Sequence, residues 1–141
     1  MLKNIITMFI IFIIWQFPII ISSFDSGIYS NNLIIWFLFT SFIINIMLSY
    51  CIFNYIRTND ISNNYMLYFI NTYISYCALI IFLFFFNNLF FSFIFSVLSL
   101  FFGFYFYLEN RKKDKGNSIF ILPYLIWLIC LSLSCVLFNL C

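Results

Sequence analysis

The sequence predicts an all-α integral membrane protein, a bundle of five transmembrane helices, and three observations lead there. The first is composition: 66% of the 141 residues are hydrophobic and 7% are charged, where soluble domains run about 25% charged. Too little polar surface exists to cover a soluble globule. The second is segmentation, because five apolar stretches, roughly 4–22, 33–56, 65–86, 89–108 and 118–140, each reach the ~20 residues that a ~30 Å hydrocarbon core requires of a helix. The third is the charge pattern. If the five stretches cross in turn, Lys3, Arg57, Arg111, Lys112, Lys113 and Lys115 all fall on one side and only Asp25 on the other. That asymmetry is what the positive-inside rule expects, and it supports an odd number of spans. Helices are assigned because lipid cannot satisfy the backbone of an open strand. The five spans form a single domain over 1–141, with no room for a soluble one.

The first span, inside MLKNIITMFIIFIIWQFPIIISS, has an alternative reading. Its basic start, apolar run and small Ser22–Ser23 end also suit a cleaved secretory leader, which would leave four spans. The second span carries Ser41, Asn45 and Ser49 along one face, and the third carries Asn71, Ser75 and Ala78. The amides of Asn45 and Asn71 need partners inside a membrane. The Asn87–Asn88 pair turns the third span into the fourth, where Ser92, Ser96, Ser99 and Gly103 recur at helical spacing. Such a stripe lets helix backbones approach closely in lipid. The loop ENRKKDKGN, residues 109–117, is read as a topology determinant before a ligand site for anionic head groups.

Several function classes are excluded at this level. No Asp, Glu, Lys, Arg or His lies inside a span, so the usual groups of a proton relay or ion pathway are missing. The four acidic residues sit in loops, the chain has no His, and no Ser or Cys therefore has an imidazole base. Enzymatic activity is not expected. Five cysteines without a CxxC pair and without His predict no metal site. A net charge of +2 without a clustered basic face predicts no nucleic-acid partner. Phe and Tyr, like Ile and Asn, use AT-rich codons, and the aromatic excess is read partly as nucleotide bias.

Pro123 interrupts the fifth span about one turn from its start and should bend or loosen the entrance. Tyr124 and Trp127 follow it, with Cys130 and Ser134 continuing the Pro123–Trp127 face. This group either anchors the helix at the interface or lines the mouth of a cavity in the bundle.

The string LPYLIW, residues 122–127, opens the last of five spans behind a short basic loop, and there it resembles the TspO/MBR family of translocator or peripheral-type benzodiazepine receptor proteins. The FFFNN turn, residues 84–88, and the ungapped spacing from Asn88 to Pro123 extend the likeness over roughly 65–140. The resemblance implies binding or translocation of a small amphipathic ligand, a porphyrin, sterol or lipid, at Tyr124 and Trp127, with Pro123 shaping the backbone. Thr72, Tyr76 and Trp36 are further ligand candidates. The chain departs from the family in its first loop and second span, where SNNLIIWFLFTSF stands in place of a Trp- and Pro-rich pattern. In the third span the family's Gln, Asn and Trp fall on Thr72, Tyr76 and Leu79, the late Asn of the fifth falls on Cys135, and no basic residue follows Tyr124 closely. The alternative is a non-catalytic structural or assembly subunit of a larger membrane complex, with its small-residue stripes turned outward to partner helices. A homodimer is compatible with the first reading. Mitochondrial outer membrane, ER and bacterial inner membrane are all compatible as locations.

Overall fold

A computed structural model describes residues 1–23, 31–86 and 88–140, and the side chains of these except 22–23, 31–36 and 138–140. The chain forms α1 (Leu2–Ser23), α2 (Asn31–Thr58), α3 (Asn63–Phe84), α4 (Leu89–Lys113), the short α5 (Lys115–Ser118), a 3-10 turn (Ile119–Ile121) and α6 (Leu122–Leu140). Five stretches are long and apolar enough to cross a membrane, the fifth running unbroken from Lys115 to Leu137 through α5, the turn and α6. No strand occurs among the described residues. The fold is the expected all-α bundle of a multi-pass membrane protein.

Polar side chains define the helix ends. Ser62 Oγ accepts from the Tyr65 amide at 3.1 Å and starts α3, while Asn88 Oδ1 accepts from the Phe91 amide at 3.2 Å and starts α4. Each satisfies one of the amides that a first turn leaves open. Asn87, the other half of the expected turn, lies outside the described residues.

The helices close into a ring in the order α1, α2, α6, α4, α3 and back to α1, with α3 and α4 forming the tightest antiparallel pair. The small residues of α4 make that closeness possible. Ser92, Ser96, Ser99 and Gly103 are all buried, against α3 on one side and α6 on the other. A Cβ at Gly103 would stand 2.9 Å from the Leu125 methyl and 3.7 Å from the Tyr124 ring. The Ser132 hydroxyl of α6 lies 2.7 Å from Ser96 Oγ and 2.9 Å from the Leu128 carbonyl. On α2, Ser41, Asn45 and Ser49 are fully buried, whereas on α3 Ser75 is buried and Asn71 half-buried.

Two boundaries differ from the sequence-based expectation. α4 continues through Glu109–Lys113, so the expected basic loop is mostly helix. Glu, Arg and Lys are good helix formers, and the cations of the last turn face the negative end of the helix dipole. Lys112 also pairs with Glu109 at 2.7 Å. The chain then breaks only at Asp114, whose carboxylate accepts from the Asn117 amide at 3.1 Å and starts the fifth span at once. Pro123 is therefore the second residue of α6, directly behind the 3-10 turn. A first turn is where a missing N–H costs least, and a 3-10 turn is a common helix entrance. The entrance is a change of helical pitch, with Leu122 itself still helical at φ −56° and ψ −44°.

Candidate functional site

Aromatic side chains from four helices meet at the centre of the bundle. Trp15 of α1 packs on Tyr76 and Tyr124, both with ring centroids 5.5 Å away, and edge-on against Tyr73 at 5.2 Å. Trp127 packs on Tyr76 at 6.1 Å and on Phe37 of α2 at 5.2 Å. Tyr76, Tyr124 and Trp15 are at most 1% exposed and Trp127 is 7% exposed. The aromatic pair after Pro123 is thus part of the bundle interior and is no interfacial anchor. The extended start of the fifth span explains this, because Trp127 stands twelve residues beyond Lys115, about 18 Å along a helix.

The resemblance-derived residues separate as follows. Tyr124, Trp127, Tyr76 and Thr72 come together, and Leu79 and Cys135, the other family-matched positions, are buried too. Pro123 is half-buried beside them. The side chain of Trp36 lies outside the described residues. Cys130 and Ser134 do not share the inward face: Cys130 is exposed and Ser134 half-exposed, while Tyr124, Leu128, Ser132 and Cys135 form the buried arc. Trp127 stands at the edge of that arc and reaches inward by its length, so a face drawn through it is rotated outward.

Polar atoms lie within the aromatic centre. Asn45 Nδ2 donates to Gln16 Oε1 at 2.7 Å and approaches the Trp15 carbonyl at 3.4 Å, joining α1 to α2. The Tyr76 hydroxyl lies near the Asn45 side chain but outside hydrogen-bonding geometry. Yet Asn45 Oδ1, the Tyr76 and Tyr124 hydroxyls, Thr72 Oγ1 and Trp15 Nε1 are buried without a hydrogen-bond partner in the protein. Left unpaired in the interior, each such group costs about 1–3 kcal/mol. Trp15 and Gln16 were not singled out in the sequence. The usable clue was a Trp–Gln pair in the middle of a run otherwise nearly free of polar side chains.

A second polar group ties the basic end of the bundle. Asn117 Nδ2 donates to the Cys51 carbonyl at 2.9 Å, Asn54 Nδ2 donates to Asn117 Oδ1 at 3.3 Å, and Asn110 Nδ2 donates to the Phe106 carbonyl at 3.0 Å. The Cys51 thiol is 3.6 Å from Asn110 Oδ1. Beside them Tyr55 and Tyr65 stack at 3.8 Å with rings 3° apart. This group fastens α5 to α2, and α2 to α4 through the Cys51 thiol.

Chemically, the centre offers aromatic faces with hydroxyl, amide and indole groups, and no side chain that titrates near neutral pH. Among the described residues no cluster of His, Cys, Asp and Glu could hold a metal ion. Compared with known proteins, the chain matches no family model, no curated protein and no solved structure.

Proposed function

We propose that this protein is a TspO-like membrane protein that binds or translocates a small amphipathic ligand, a porphyrin, sterol or lipid, at the centre formed by Tyr76, Tyr124 and Trp127. One observation supports this above the others: five polar atoms, on Trp15, Asn45, Thr72, Tyr76 and Tyr124, are buried in and around one aromatic cluster without hydrogen-bond partners in the protein. Buried polar groups are nearly always hydrogen-bonded, and a polar-edged planar molecule among the rings would supply both the bonds and the stacking surface. The set contains donors and acceptors but no acid or base, which suits binding and not catalysis. The burial of the α4 stripe within the bundle favours this reading over the assembly-subunit alternative, which expects that stripe turned outward.

The test is a titration of the purified protein with protoporphyrin IX, read as Kd from tryptophan quenching, in wild type and in Trp127→Phe. Saturable quenching with affinity about tenfold weaker in the variant, equivalent to 1.4 kcal/mol, is expected. Linear quenching, the same in both proteins, would sink the reading for this ligand class.

A further inference from the structure

Where α1 and α3 meet, on the side of the membrane opposite the basic residues, a groove of about 620 Å³ opens outward from the bundle. That volume lies within the roughly 300–1,000 Å³ of small-molecule pockets. Tyr73, Cys77 and Ile81 line it from α3 and Phe85 from that helix's C-cap, each four residues after the last, and Pro18 and Ile21 line it from α1. The origin of its inner end can be traced to the sequence. Pro18 has no N–H to give the Ile14 carbonyl, and the Tyr73 hydroxyl donates to that carbonyl instead, at 2.9 Å. Satisfying a proline-freed carbonyl from a neighbouring helix is how membrane helices keep proline. The bond holds Tyr73 at the inner end of the groove, with Trp15 packed edge-on against its ring.

We propose that this groove is a binding site for one acyl chain of a lipid in the leaflet opposite the basic side. Three features select that occupant. From Tyr73 to Phe85 is twelve residues, or about 18 Å of helix, close to the ~15 Å that one leaflet contributes to a ~30 Å core. Tyr73, the innermost lining residue of α3, stands at the middle of that helix, near mid-membrane, where an acyl chain ends. The one hydroxyl in the lining is already engaged by Ile14, so the walls present hydrocarbon and a thiol and ask for an apolar occupant. A porphyrin, with carboxylates along its edge, finds no partner there. The groove adjoins the aromatic centre through Tyr73 and Trp15, but the proposal does not rest on what the centre binds.

Cys77 reports on the groove, and Cys130, exposed on α6, is the internal control. The wild-type protein, delipidated in detergent, is treated with a small membrane-permeant maleimide before and after addition of dioleoylphosphatidylcholine, and each cysteine is followed by peptide mass spectrometry. At lipid about ten times its Kd, Cys77 labelling should slow about tenfold while Cys130 changes little. Short-chain dihexanoyl lipid should protect far less. Equal slowing at both cysteines, or none at Cys77, overturns the proposal. Protection of Cys77 that follows protein concentration and not lipid would mean that a second copy of this chain covers the groove, and would overturn it as well.

Discussion

The basic end of the bundle and its centre handle buried polar groups in opposite ways. At the basic end Asn54, Asn110 and Asn117 are linked to one another's helices through side-chain and carbonyl partners, and only the Tyr65 hydroxyl is left over. At the centre five polar atoms are left over in a space of a few rings. Membrane bundles gain little from the hydrophobic effect between helices, so packing and hydrogen bonds specify their arrangement. The basic end spends its amides on that specification. The centre holds polar groups that the fold itself does not use, and this separates a structural cluster from a candidate site.

The largest effect should come from removing the piece that both the fold and the centre share. Trp15 is 1% exposed and touches Phe69, Tyr73, Tyr76 and Tyr124. Trp15→Ala should cost about 3–5 kcal/mol, as aromatic truncations in cores do, read as a large fall in the thermal midpoint in detergent. If the midpoint barely moves, the centre is not packed as described and the contrast with the basic end loses its meaning. A smaller effect is expected at the basic end itself. Asn117→Leu removes the second hydrogen bond on the Cys51 carbonyl and the partner of the half-buried Asn54 amide, for about 0.5–1.5 kcal/mol per hydrogen bond lost. It should also loosen α5, seen as faster hydrogen exchange over residues 114–121 with little change in protoporphyrin affinity.

The unequal legibility of these regions has physical causes. Span number, the α4 stripe and the need of Asn45 for a partner are local properties, written in hydropathy, side-chain size and the cost of an unpaired amide. The partner of Asn45 was not local: Gln16 lies 29 residues away, and a lone amide in an apolar run gives no direction. Pro18 announces a free carbonyl at Ile14, but that Tyr73 takes it, 59 residues on, is decided by which helices neighbour each other. Discounting the aromatics as codon bias hid Trp15, the hub of the interior. The basic segment 109–113 reads as a loop by charge and as helix by propensity, and propensity prevailed because nothing breaks the helix before Asp114. Tyr124 and Trp127 were found through resemblance, while the unpartnered hydroxyls that make the centre a candidate site emerge only when the helices are assembled.

The smallest change carries the sharpest sign. Tyr124→Phe removes one hydroxyl that is buried and unpartnered and leaves the ring against Trp15 and Tyr76. In a satisfied network such a deletion destabilises, as Asn117→Leu should. At the centre the same kind of deletion relieves a desolvated group, so the ligand-free protein should become more stable, by up to about 1 kcal/mol, and its thermal midpoint should rise. If that hydroxyl serves a bound molecule, the variant must lose affinity while it gains stability, because the bond the ligand made has been removed. Thermal midpoints measured without and with protoporphyrin IX test both halves on one sample: the variant should start higher and shift less. A variant that starts lower would show that Tyr124 holds the fold together as the asparagines do. One that starts higher and shifts as far as wild type would leave the stability contrast intact and remove this hydroxyl from the ligand site.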